Sequence, residues 1–325
     1  AVYTTINDPS AYFQAQLYTG NGSTAHDITN TGNSNLQPDL LWIKNRSASA
    51  NPIWQDTSRG INVQFFTDGN STENTNASWG HVNSVATDGF QVDAGSPTSE
   101  ANANKNSDNY VAWQWKVNGG TTASNSSGTI TSTVQANTAA GISMVQYTGN
   151  NTSGATVGHG LGAVPDTIIL KCRADAQNWF VNTPVAGGVG YMMLNQTNAD
   201  SGANSTVWNS TSPTSTLFTL GNSGGVNDSV AYIAYCFKSI KGFSKFGTYT
   251  GNNNNNGPFV YCGFKPAFVM IKNTSSTSQW PMLDAERDPS NVTNTRLRAN
   301  TDAADVDETF FDFLSNGFKL RATGT

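Results

Sequence analysis

Carboxylates set three residues ahead of a guanidinium are the recurring chemistry-bearing pattern in this chain: Asp56 with Arg59, and Asp284 with Arg287. At that spacing the pair can form a bidentate bond that pins a turn, so a structural salt bridge is favoured over a ligand contact. The aligned stretch Thr183-Pro184-Val185-Ala186 carries neither partner. Glycoside hydrolysis needs two carboxylates at a set separation. Acids do cluster at Asp284-Ala285-Glu286-Arg287-Asp288 and at Asp305-Val306-Asp307-Glu308. Both read as solvated loops, the second also as a calcium-binding or trimer-contact loop. His26, His81 and His159 are scattered, and the glycines around His159 read as a β-turn, because no helix start or P-loop Lys-Ser/Thr follows. No G-x-S-x-G elbow offers a serine nucleophile. Cys172, Cys236 and Cys262 show no C-x-x-C spacing; Cys172 and Cys236 lie at opposite edges of one repeat and could pair, but single buried thiols in strands are the favoured reading. No catalytic residue, metal site or cofactor is expected. Among the aromatics, Trp42, Trp113 and Trp115 lie in strand-like runs and read as core, whereas Trp79 and Trp208 fall outside the repeated strands and are the candidate exposed ligand contacts.

Composition sets the background for these residues. Only 12% of the 325 residues are charged, about half the roughly 25% usual for soluble globular chains, so Asn, Ser, Thr, Gly and Gln must supply the polar surface. A net charge of -5 leaves no basic field for a polyanion, and nucleic acid is excluded as an expected partner. No apolar run approaches the roughly 18 residues of a membrane-spanning helix. The first residue is Ala1, with neither a basic nor an apolar leader region after it.

The elements that must position these side chains recur three times. Tyr18-Thr19-Gly20-Asn21, Tyr147-Thr148-Gly149-Asn150 and Tyr249-Thr250-Gly251-Asn252 each open a segment. Pro38, Pro165 and Pro266, each followed by an apolar run ending in Lys44, Lys171 or Lys272, are 127 and 101 residues apart (165 − 38 and 266 − 165). A tryptophan follows in each copy: Trp54, Trp179 and Trp280. The closing run Asn109–Lys116 corresponds to Ser229–Lys238, and the third copy has no counterpart. Either the chain continues past Thr325, or a neighbouring segment supplies that strand. Short β-branched and aromatic runs between Gly/Asn/Ser/Thr clusters read as strands. The expected fold is all-β, as tandem antiparallel, jelly-roll-like β-sandwiches: repeat 1 at 1–117, a bending linker at 118–129, repeat 2 at 130–240, and repeat 3 at 241–325 lacking its closing strand. The second joint, with Ile240 and Phe243, is expected to be stiffer, and 252–256 reads as a hairpin tip.

The strings Leu17-Tyr18-Thr19-Gly20-Asn21-Gly22-Ser23-Thr24, Leu36-Gln37-Pro38-Asp39-Leu40-Leu41-Trp42-Ile43-Lys44-Asn45 and Asp312-Phe313-Leu314-Ser315-Asn316-Gly317-Phe318-Lys319-Leu320-Arg321 resemble repeat-bearing proteins of tailed phages, particularly marine ones. The resemblance spans all three copies. It implies a non-catalytic virion structural protein, either a tail fibre, an appendage or a capsid-surface protein. Such a protein would sit on the virion surface, assemble with itself and with other virion proteins, and serve display or host adhesion. The rival expectation is a carbohydrate-binding array that recognises host surface glycan through exposed aromatics.

Overall fold

The computed structural model describes residues 4–75, 77–96, 102–182 and 188–323, the side chain of Ala77 excepted. Module 1 contributes β1 (Phe13–Thr19), β2 (His26–Thr29), β3 (Leu40–Asn45), β4 (Ile53–Asp56), β5 (Gln64–Phe66), β6 (His81–Ala86), β7 (Gly89–Asp93) and β8 (Asn109–Trp115). Module 2 contributes β9 (Ala123–Asn125), β10 (Ser132–Asn137), β11 (Ile142–Thr148), β12 (Ala155–Gly158), β13 (Thr167–Cys172), β14 (Phe180–Asn182), β15 (Tyr191–Met193), β16 (Leu217–Leu220) and β17 (Ala231–Phe237). Module 3 contributes β18 (Phe259–Tyr261), β19 (Phe268–Met270), β20 (Pro281–Asp284), β21 (Thr293–Arg298), β22 (Val306–Leu314) and β23 (Gly317–Leu320). The fold is all-β and antiparallel, with large sheets ordered β1-β8-β3-β4-β5, β15-β14-β13-β17-β11-β10-β9 and β18-β23-β22-β21-β20-β19. The smaller sheets are β2-β7-β6 and β12-β16.

Strands read as unbroken apolar runs because the large sheets are covered on both faces, an arrangement that removes the usual in-out alternation. In β3, Leu41 and Ile43 point into the core of module 1 with Val82, Phe90 and Val92 of its smaller sheet. Leu40 and Trp42 point the other way, into a central core. Module 2 divides β13 likewise, with Ile168 and Leu170 inward and Ile169 towards the centre. In β19, Val269 joins the core of module 3 while Phe268 and Met270 face the centre. The central core therefore takes residues from all three repeats, including Trp42, Trp54 and Trp113, then Met144, Trp179 and Tyr235, then Trp280 and Met282.

The tandem modules share one centre: modules 1 and 2 each pack a smaller sheet on a large one, and module 3 is a single six-stranded sheet. The segment 118–129 does not hang as a bending tether. Asp39 Oδ2 accepts the amides of Val117 (2.5 Å) and Gly119 (2.9 Å), and β9 pairs with β10, so module 2 already claims residues assigned to the linker. At the second joint, Phe243 meets Tyr12 of module 1 and Phe246 meets Phe237 of module 2. The stretch 252–256 is an exposed loop closed by Asn252 on the Asn256 carbonyl, and it does not join two paired strands as a hairpin tip would.

The Tyr-Thr-Gly-Asn motif has a local cause. Tyr18 stacks on Tyr110 at 5.0 Å, and Tyr147 stacks on Tyr232 at 5.2 Å. The glycine that follows passes against backbone: a Cβ on Gly20 would lie 2.1 Å from the Lys105 carbonyl oxygen, and one on Gly149 would lie 2.1 Å from that of Asp228. The Asn amide then donates to a buried side chain, Asn21 to Asn104 and Asn150 to Asn227.

Candidate functional site

Aligning the modules on Pro38, Pro165 and Pro266 places Arg46, Arg173 and Thr274 at one position, and Asp56, Thr183 and Asp284 at another. Strand register adds a third set, Glu73, Asp200 and Asp305, because Phe66, Met193 and Arg298 hold equivalent pairings. It also makes Trp113 the counterpart of Tyr235, since Trp115 pairs with Leu40 as Phe237 pairs with Thr167. Trp179 and Trp280 do correspond, but Trp54 stands two residues out of step and occupies the place of Val181 and Met282. The three-tryptophan alignment drawn from sequence is corrected accordingly.

These positions meet where modules touch. Arg59 Nε donates to Asp56 Oδ2 at 2.6 Å, and the Arg59 amide donates to Oδ1 at 2.9 Å. Tyr235 of module 2 also donates its hydroxyl to Asp56 Oδ2, at 2.7 Å. Arg59 continues to Glu73, which receives Arg173 of module 2 through Nε (2.8 Å) and Nη2 (3.0 Å). A second cluster repeats the arrangement between modules 1 and 3. Arg287 Nε donates to Asp284 Oδ2 at 2.6 Å, Trp113 of module 1 donates Nε1 to the same oxygen at 3.1 Å, and Asp305 joins Arg287 to Arg46 of module 1. The side chains of Asp56, Arg59, Asp284 and Arg287 have no solvent exposure. Both acid clusters expected on solvated loops thus include interface residues, because Asp284 and Asp305 neutralise arginines that the sheets have buried.

Across the third contact, module 3 on module 2, the backbone link is retained while the arginine is gone. The amides of Glu73, Asp305 and Asp200 donate to the carbonyls of Arg173, Arg46 and Thr274 respectively, closing a ring of three modules. At the third contact, however, Thr274 stands in place of an arginine, and burial raises the pKa of Asp200. The counterpart of the D-x-x-R aspartate is Thr183, which lies outside the described residues. Lysine is common to all three contacts: Lys44 Nζ donates to Thr301 O (2.8 Å), Lys171 to Asn70 O (3.3 Å) and Lys272 to Thr197 O (3.2 Å). Burial lowers each of these lysines to about 8.

Chemically, the clusters are clamps. Asp56 and Asp284 each accept three hydrogen bonds from buried donors and have no solvent-exposed side-chain surface, so neither is open to a substrate. Burial opposes the charge on Arg59, but the adjacent Asp56 more than offsets it and keeps the guanidinium ionised. Among the described residues no group of His, Cys, Asp and Glu is arranged to hold a metal ion. His159 is buried directly after β12, with Nε2 3.1 Å from Thr214 O, and all three cysteines are free thiols.

The family model described as Domain of unknown function (DUF7483) matches residues 8–325. The chain belongs to the DUF7483 family. No curated protein and no solved structure matches it significantly.

Of the two tryptophans offered as ligand contacts in this DUF7483 chain, Trp208 is corrected. It is 1% exposed, because the short helix Ser205–Trp208, capped by Asn204, turns it into the core of module 2 beside Phe218 and Leu220. Trp79 is 37% exposed and leans on Phe66 with ring centroids 5.5 Å apart. Structure and sequence place these two residues in separate modules, so they make no common site. Sequence reasoning found the D-x-x-R pairs but missed Glu73, Arg46, Arg173 and the cross-module role of the lysines. The available signal was register: Arg46 and Arg173 each stand two residues after the repeated lysine.

Proposed function

We propose that this protein is a non-catalytic structural component of a phage particle, a tail fibre, appendage or capsid-surface protein displayed on the virion, where it assembles with itself and other virion proteins and serves display or host adhesion. One observation carries the structural part of the reading: three β-modules share a single core, and buried ion pairs clamp two of the three contacts between them. Such a body holds its shape under load because no module can turn without exposing the tryptophans of the shared centre. The phage origin rests on the sequence resemblance, and the sparsely charged, Asn/Ser/Thr-rich surface suits a packed assembly. Imaging of phage particles labelled by an antibody to the chain tests the proposal. Label on tails, fibres or capsids supports it, and particles without label overturn it.

The exposure of Trp79 beside Phe66 favours a second reading, in which the same display protein also contacts host surface glycan through one aromatic face. A glycan array probed with the native protein and with Trp79→Ala tests this reading. Loss of a defined glycan signal in the variant supports it, while equal signals remove it.

A further inference from the structure

In modules 1 and 2 the closing strand lies in the middle of a large sheet. β8 pairs with β1 over seven residues, Phe13↔Trp115 to Thr19↔Asn109, and with β3 over six, Leu40↔Trp115 to Asn45↔Tyr110. β17 stands the same way between β11 and β13. Transferring the two flanks to module 3 through the Tyr-Thr-Gly-Asn and Pro landmarks gives residues 244–250 and 268–273. Between them no strand is found among the described residues. β19 pairs with β20 alone among the described residues, and 244–250 joins no sheet beyond an isolated bridge at Ser244.

A cavity of about 1530 Å³ occupies that place, and every residue of both flanks, 244–250 and 268–273, lines it. Its floor includes Trp280, Val181, Met192 and Phe237, which belong to the central core. Phe246, Phe268 and Met270 are only partly buried against that core, whereas Trp42 at the position of Met270 is enclosed. A seven-residue strand is about 23 Å long, spans both flanks, and would pair with the open edge of β19.

We infer that this groove is the seat of one β-strand of the closing pattern, added by a partner polypeptide other than a second copy of this chain. The two filled counterparts define its chemistry: Tyr-Val-Ala-Trp-Gln-Trp in β8 and Tyr-Ile-Ala-Tyr-Cys-Phe in β17. By register, the residue in the place of Trp113 lies between Phe246 and Met270 and faces module 2. The strand gains main-chain hydrogen bonds from β19 and covers the apolar floor, the usual terms of strand addition.

The test adds a fluorescent synthetic peptide of residues 107–117 to the 325-residue chain, with binding read by anisotropy and amide hydrogen exchange. Saturable one-to-one binding, with exchange across 268–273 slowed at least about tenfold, is expected. A peptide carrying Trp113→Asp should lose binding while leaving the protein itself untouched. Three results overturn the inference: no binding, protection at 40–45 that marks invasion of module 1, or a self-associated chain already protected at 268–273, which would make a second copy the occupant.

Discussion

The contact between modules 1 and 3 and the contact between modules 3 and 2 use the same backbone link and the same lysine, yet only the first is ionic. Arg46, Asp305, Arg287, Asp284 and Trp113 form one buried network at the first. At the second, the sequence carries Thr274 and Thr183 in the places of the arginine and the aspartate, and among the described residues module 3 has no closing strand from which an aromatic donor could come. The losses belong together. A buried aspartate without its donors would be costly, so the interface lacking the closing strand is also the one lacking the carboxylate that strand would meet.

The largest effect should come from breaking the ionic contact on one side. Arg287→Ala leaves Asp284 buried without its guanidinium and should cost about 3–5 kcal/mol in denaturant unfolding; a loss below 1 kcal/mol would show that the cluster is not enclosed. Removing one neutral donor is milder. Tyr235→Phe takes away the hydroxyl bond to Asp56 and should cost about 1.5–3 kcal/mol, the range for a hydrogen bond to a charged group. An unchanged midpoint would separate the aromatic contact from the ion pair. In the opposite direction, Thr274→Arg places a guanidinium where Asp200 waits and should add about 0.2–1 kcal/mol. Destabilisation by that variant would mean that the third contact differs from the other two in backbone as well as charge.

The smallest signal is one that all three contacts share. Burial depresses Lys44, Lys171 and Lys272 to about 8, below the roughly 10.4 of an unfolded lysine. Between these values the unfolded chain binds more protons, so these lysines make stability rise with pH from about 8 upward. Burial raises Cys236 to about 12 and holds Tyr235 well above its ordinary value, and such groups work in the opposite sense from about pH 9. Tm should therefore climb between about pH 7.5 and 9 and fall beyond 10; a steady decline from 7.5 would contradict the buried lysines.

Much of this was legible in the sequence because local rules decide it. Gly89 and Gly317, each after the turn of a hairpin, lie under a neighbouring carbonyl oxygen, 1.9 Å and 2.1 Å from where a Cβ would stand. That close approach explains why glycine precedes phenylalanine in both Gly89-Phe90 and Gly317-Phe318. The D-x-x-R spacing likewise declared a bond within one turn. What the sequence concealed was the outward face of each large sheet. Leu-Leu-Trp-Ile in β3 reads as one apolar run, and nothing in its composition says that alternate residues serve two different cores. The same gap hid Trp208, whose burial depends on a four-residue helix too short for any periodicity to announce.

Lys44 reaches Thr301 across 257 positions of chain, and Arg46 reaches Asp305 across 259. Contacts this remote make assembly slow relative to chains that fold through near neighbours. During synthesis at roughly 5–20 residues per second, the first module must wait about 13–50 seconds after Arg46 emerges before its partner acid exists. Throughout that interval the Leu40 and Trp42 face stays open to other chains, and nascent molecules on one message would be tempted to exchange modules with their neighbours.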